Sequence, residues 1–426
     1  MTSPEPPRFD VYCDPAKPLK LSFEDVKVAT ENIRDGVLKT DLRFSQKMSA
    51  HTKANVYLKL EVNQVTGSFK ERGARNALLK MTPEEKKAGV FAASAGNHAL
   101  ALCYHGKSLG IAVNVVMPLI APLMKIDNCQ QYGANVIVEG ENLAESRNIA
   151  LKMAEEQGGK YINGYDHIDI LAGAGSIGIE ISEQLPKVDL ILVPVGGGGL
   201  LAGVVVAIKA LYPNTKVIGV EPETCAGFKN SLEHGIPTLT PTKSTLADGL
   251  AVPLVGCNAF ESAKHLVDKV ITVSEQEIAI GILRLIEWQK IVCEGAGACA
   301  VAALFKDSFL SEIENLNVVA LCSGGNIDTT SLGRCIDRGL SHDLRLIRFN
   351  VVISDRAGAM AKLCEIVGAV GASIKEIYHE RQWLKKDIFM VRVKVICETR
   401  NKAHVEQLEN KLKEQYEDVF FYKDIY

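Results

Sequence analysis

No stretch of this 426-residue chain approaches the roughly twenty consecutive apolar residues that a membrane-spanning helix requires. No Cys-x-x-Cys pair occurs among its 11 cysteines. Their odd number, and the apolar surroundings of Cys103, Cys364 and Cys397, fit reduced, buried thiols in an intracellular protein rather than disulfides or zinc ligands. Basic residues are not in excess: the formal net charge is -3, which argues against nucleic-acid or membrane partners. Pro4, Pro6 and Pro7 stand where a secretory signal would place an apolar segment, so a cytoplasmic location is expected. No low-complexity tract interrupts the chain. With 47% hydrophobic and 23% charged residues, the composition is that of a globular protein, long enough for two or three domains.

Residues 1–20 read as a disordered or surface-lying tail. Ser22-Phe23-Glu24-Asp25 resembles a capping box opening a helix. Short apolar runs then recur as expected strands: Val56–Leu60, Val90–Ala93, Val113–Val116, Val136–Val138, Leu190–Val195, Val217–Val220, Val270–Val273 and Val318–Leu321. Helical spacing lies between them, as in Ala74, Ala77, Leu78 and Met81. Such alternation implies an α/β fold with parallel sheets. The last segment differs. Leu346–Ile353, Ser373–Arg381, Phe389–Ile396 and Val419–Tyr422 are expected strands; Ala359–Gly368 and His404–Tyr416 are expected helices. That order, βαββαβ, is ferredoxin-like. Residues 339–345, with Gly339 and Ser341, read as a linker.

Four strand-end segments carry the chemistry. Lys70 in Gly67-Ser68-Phe69-Lys70-Glu71-Arg72-Gly73 opens a helix. The helix dipole there disfavours its ammonium form, which would make it a better nucleophile and base. Alone, it reads as a surface lysine. Ser94-Ala95-Gly96-Asn97-His98 opens another helix, whose free N–H groups suit a carboxylate; equally, it is an ordinary capped turn, with His98 structural. Gly196–Gly199 leaves bare amides before Leu200, a cradle for phosphate. The same run satisfies G-x-G-x-x-A through Ala202, and Glu221 ends the next strand, so a nicotinamide dehydrogenase also fits it. Ser323, before Gly324-Gly325, offers a hydroxyl to a heteroaromatic nitrogen; its bland reading is a strand-end turn.

Taken together these residues resemble the fold-type II pyridoxal-phosphate enzymes, specifically the serine/threonine dehydratases. Gly67–Ala74, Ser94–His98, the four glycines, Ala247-Asp248-Gly249, Glu294-Gly295-Ala296-Gly297 and Ser323–Asn326 appear in that family's order, over about residues 20–340. The resemblance implies a catalytic part at 21–338, with a smaller subdomain at about 55–160, and pyridoxal 5'-phosphate as cofactor. Lys70 would be its attachment point and the base for the α-proton, with Phe69 against its ring. Asn97 would meet its phenolic oxygen, and Ser323 its pyridine nitrogen. Gly196, Gly197, Gly198, Gly199, Leu200 and Gly249 would also line it. Ser94, Ala95, Gly96, Asn97 and His98 would hold the substrate carboxylate. The implied reaction eliminates water from L-threonine or L-serine and gives 2-oxobutanoate or pyruvate with ammonia.

Serine racemases of this family carry a serine where this chain has Ala95, so a dehydratase is expected over a racemase. Their cation-binding acidic residue after Glu221-Pro222 aligns with Gly227, and no metal site is expected. Residues 346–426 resemble an ACT domain: Asp355-Arg356-Ala357-Gly358 precedes Met360, Leu363 and Ile366. That implies pairing between subunits, as a homodimer or homotetramer, and either a small amino-acid effector or an oligomerisation role without ligand. A single such domain suggests the catabolic type. A non-catalytic amino-acid sensor is the remaining rival, and the intact Lys70 and Ser323 argue against it.

Overall fold

Val56, Leu58 and Leu60 are fully buried at alternate positions, and the strand they form lies inside a sheet. The computed structural model describes residues 10–121, 123–382, 384 and 387–422. It divides into two units between Asp328 and Thr329. The strands of the first unit are β1 (Leu42–Phe44), β2 (Asn55–Leu60), β3 (Val90–Ala93), β4 (Val113–Met117), β5 (Asn135–Val138), β6 (Lys160–Tyr161), β7 (Leu190–Pro194), β8 (Lys216–Pro222), β9 (Lys269–Val273) and β10 (Asn317–Cys322). One sheet runs β1-β2-β10-β7-β8-β9, the other β5-β4-β3-β6. All pairings are parallel except β1 with β2.

All eight expected strands of this unit are present, within two residues at either end. β1 and β6 were not expected. Three and two residues are too short to show a period of two, and pairing with a neighbour alone makes them strands. The capping box at Ser22 forms: its hydroxyl accepts from Asp25 N at 3.1 Å while the Asp25 carboxylate accepts from Ser22 N at 3.0 Å. Asp10 is buried and residues 11–20 are half-buried or exposed, tied by Leu19 N to Asn258 Oδ1 (2.7 Å) and by Asn258 Nδ2 to Tyr12 O (2.8 Å); the rest of the expected tail, 1–9, lies outside the described residues.

The sheet order decides where the chemistry falls. β2, β10 and β7 are neighbours and parallel, so the turns after them emerge side by side at one edge. Those turns carry Lys70, Ser323 and Gly196–Gly199. Open α/β sheets bind ligands outside such carboxyl ends.

In the second unit, β11 (Leu346–Ser354), β12 (Ser373–Glu380), β13 (Met390–Glu398) and β14 (Val419–Phe421) form an antiparallel sheet ordered β12-β13-β11-β14. Helices Ala359–Val370 and Lys402–Lys413 complete the expected βαββαβ order. Phe349, Val351, Val393, Val395 and Leu408 lie in its core. The expected linker at 339–345 needs correcting. Helix Thr329–His342 runs through its first half. Cys335 and Gly339 are buried, and Leu332, Ile336 and Leu340 are half-buried. That is helical spacing, and burial of the stripe outweighs the glycine's poor propensity.

Candidate active site

Helix Lys70–Leu79 begins directly at the lysine, with Phe69 as its N-cap residue and no side-chain cap. Lys70 Nζ donates to Gly164 O and lies 5.1 Å from the Phe69 ring centroid. Burial brings the amine down to about 8, opposed by the charge of Glu294. The sequence pointed to the helix dipole as the cause, and the structure corrects this. Removing an ammonium from water costs several times what a helix terminus contributes.

Two residues on, Arg72 is 1% exposed and bound on both sides. It donates to Glu61 (2.8 Å from both Nε and Nη2) and to Glu180 (2.6 Å from Nη1, 2.9 Å from Nη2). Lys59 Nζ donates to the same Glu180 carboxylate at 2.6 Å, and Thr40 Oγ1 donates to Glu61 at 2.6 Å. Two cations and two carboxylates are thereby neutralised inside the protein. They tie the lysine's helix to β2 and to helix Ile168–Gln184.

Gly196–Gly198 leave β7 and helix Gly199–Leu211 begins behind them, with no side-chain cap. Among the described residues the amides of Gly196 to Gly199 find no backbone acceptor. Gly198 adopts a φ of +94°, which a side chain would strain. A Cβ on Gly197 would fall 2.3 Å from the Tyr165 ring, and one on Gly199 2.5 Å from Tyr165 O. Opposite, a Cβ on Gly196 would be 3.0 Å from Leu250 Cα, which brings Gly249 and Leu250 against the cradle. Bare amides at a helix start, with no room for side chains, suit a phosphate.

Ser323 is 4% exposed and follows β10 directly. Its carbonyl accepts from Phe69 N at 3.0 Å, and Gly325 N donates to Gly67 O at 2.9 Å. The serine and lysine segments are thus zipped together. Asn97 opens helix Asn97–Leu109; it donates to Glu294 Oε1 at 2.6 Å and accepts from Asn326 Nδ2 at 2.8 Å. The expected anion cradle at 94–98 is partly committed. Gly96 N donates to Ser94 Oγ at 3.2 Å. His98 Nε2 sits 3.0 Å from Ile162 O. Burial, with Lys70 nearby, drives His98 down to about 3, so its ring is neutral. Ala95 packs on the core of the smaller lobe.

Sequence reasoning gave no role to Gly164, Tyr165 or Asn326, and placed Glu294 in a motif only. Glu294 is 8% exposed, and burial raises it to about 7, against the pull of its Asn97 hydrogen bond. A signal existed in Gly295 and Gly297: a Cβ on either would fall 2.0 Å from a backbone oxygen, of Leu246 or Gly324. Glu221 ends in a structural role. Its carboxylate accepts Phe228 N (2.7 Å) and Lys229 N (2.9 Å), and so caps helix Gly227–His234.

A half-buried amine, a glycine-amide cradle, a carboxamide and a neutral hydroxyl, set around the edge of a parallel sheet, suit a phosphorylated aldehyde cofactor. The donor set, bare amides beside a carboxamide and a hydroxyl, fits pyridoxal phosphate. Residues 33–324 match the family described as pyridoxal-phosphate dependent enzymes, and the chain belongs to that family. It is 40% identical over 392 residues to an L-threonine ammonia-lyase of Thermotoga maritima, covering 92% of this chain and 97% of that one. Among solved structures it resembles the processed form of threonine deaminase isoform 2 from Solanum lycopersicum. That match has a TM-score of 0.72 and 35% identity, and covers 76% of this chain and 95% of the other. Serine racemase from Dictyostelium discoideum is similar too, with a TM-score of 0.69, 34% identity, and 72% and 99% coverage. Among the described residues no helix is long and apolar enough to cross a membrane.

Proposed function

We propose that this chain is an ammonia-lyase that converts L-threonine or L-serine to 2-oxobutanoate or pyruvate and ammonia. The observation that carries the reading is the half-buried Lys70, its amine brought down to about 8 by desolvation, on the sheet edge that also holds the glycine cradle and Ser323. The cofactor supplies the electron sink. The chain's own groups do the rest. Lys70 takes the α-proton, and the β-hydroxyl leaves as water. The enamine left behind hydrolyses to the 2-oxo acid and ammonia. Ser323, being uncharged, does not hold the ring nitrogen protonated as a carboxylate would, which keeps negative charge local and favours elimination. Ser94 and the amides of Asn97 and His98 hold the substrate carboxylate.

The test is an absorbance spectrum of purified protein, followed by L-threonine in the same cuvette. A visible band that responds, with 2-oxobutanoate appearing, is the expected result. A band without product favours a racemase or a sensor, and no band even after added pyridoxal phosphate overturns the reading.

The resemblance to a serine racemase makes the choice of lyase depend on Ala95, which has no proton to give. Ala95→Ser should raise racemisation of serine relative to elimination, by about 10²-fold, the lower end of what a placed acid contributes. Chiral chromatography of product and residual substrate measures the ratio, and an unchanged ratio removes this argument. We further read the unit ending at Asp328 as the catalytic part and 346–426 as a regulatory domain that binds a small amino acid, in a cytoplasmic homodimer or homotetramer. The antiparallel sheet and the Asp355 turn, which Arg381 grips at 2.6 and 2.8 Å, support the domain reading.

A further inference from the structure

The Asn97 carboxamide is gripped at both ends. Its oxygen accepts from Asn326 Nδ2 at 2.8 Å, and its nitrogen donates to Glu294 Oε1 at 2.6 Å. Asn326 is itself oriented by a group that can only accept: the same Nδ2 donates to Thr66 O at 2.7 Å. Turning Asn97 over would put its oxygen against the Glu294 carboxylate and its amino group against that of Asn326. The Asn326 end therefore selects one orientation, and the Glu294 end selects the same one whenever its carboxyl is ionised. The backbone presses on the chain as well. A Cβ on Gly67 would fall 2.6 Å from Asn326 Oδ1; one on Gly324 would fall 2.5 Å from Glu294 Oε1 and 3.2 Å from Asn97 Nδ2.

An amide nitrogen carries two hydrogens, and Glu294 takes one. We infer that Glu294 and Asn326 are positioning residues that hold the Asn97 carboxamide so that its remaining N–H, and not its oxygen, faces the phenolic oxygen of the cofactor. The inference rests on the reading of Asn97 as that oxygen's partner. The consequence is electronic. A donor stabilises the phenolate and keeps the shared proton on the nitrogen that links cofactor to Lys70. An oxygen in the same place would repel the phenolate and drive that proton onto it. The first form absorbs in the visible, the second in the near-ultraviolet.

The test uses Glu294→Gln, which keeps the size of the side chain but can present an amino group to Asn97. Two quantities are read on the full chain: the ratio of visible to near-ultraviolet absorbance, and the dissociation constant for pyridoxal phosphate titrated into cofactor-free protein. The ratio should fall at least about threefold and the dissociation constant rise about tenfold, the scale of one hydrogen bond to an ionised group. Asn326→Asp works from the exposed end, replacing a donor by an acceptor, and should move the ratio in the same direction. It stands in if circular dichroism shows Glu294→Gln unfolded. Weaker binding with an unchanged ratio would mean a merely structural role and overturn the inference. So would wild-type ratio and affinity, within about twofold, in both variants. A wild-type protein that binds the cofactor without a visible band would overturn the assignment of Asn97 to the phenolic oxygen instead.

Discussion

Lys70→Ala leaves a folded protein with no visible absorption band and at least about 10³-fold less 2-oxobutanoate from L-threonine, the usual scale for losing the group that moves the proton. Its neighbours are poor replacements: His98 is pushed down to about 3 and bound at Ile162, Asn97 is held between two partners, and Glu294 is engaged by the Asn97 amide. The variant should not be a folding mutant, and linkage gives the sign. The amine is near 8 in the folded chain against its ordinary 10.5. Its contribution to stability is present above 10.5 and lost as pH falls through 8. At neutral pH, cofactor-free Lys70→Ala should melt no lower than cofactor-free wild type. Its melting temperature should also be flatter between pH 8 and 10.5. A retained visible band, or activity above about a hundredth of wild type, would remove the proposed role.

Arg72→Met should cost about 3–5 kcal/mol of unfolding free energy, the range for stripping one partner from a buried ionic cluster. The loss is large because Glu61 and Glu180 stay behind, buried, with only Lys59 to balance them. Arg72→Lys should recover part of it, since an ammonium cannot meet two carboxylates in the planar, paired geometry. Acid gives a second check on sign. Burial alone would raise Glu61, but Arg72 more than offsets this and its carboxyl ends below the ordinary 4.5. In wild type its contribution is present above 4.5 and lost as pH falls further. Without the arginine, only Lys59 and the Thr40 hydroxyl still oppose burial, and stability should rise as pH falls from neutrality toward 4.5. Urea unfolding of cofactor-free protein across pH measures both effects, and a loss under about 1 kcal/mol would show that the cluster is not what anchors the helix.

Much of this architecture is legible in local patterns. Val90–Ala93 and Ser22–Asp25 declare a strand and a capped helix because each depends on residues within a turn or two of itself. The glycines at 196–199 announce a crowded backbone, and the structure supplies the crowd, Tyr165 and Leu250. What was missed depended on distant partners. β1 is a strand only because β2 pairs with it. Helix Thr329–His342 carried a helical stripe that its glycines disguised.

The site divides the same way. Residue type and position after a strand made Lys70, Asn97, the glycine run and Ser323 candidates, and only their order along the chain, which resembles that of a known family, joined them into one expected site. Only the tertiary structure decided what each of them touches. It set burial above the helix dipole as the cause of the lysine's shift, bound Arg72 between Glu61 and Glu180, and gave Asn97 its two holders, 197 and 229 positions away in sequence. Desolvation and hydrogen-bond orientation are properties of an assembled surround. The surround here comes from the order β2-β10-β7, which sets residues more than a hundred positions apart along the chain on one edge.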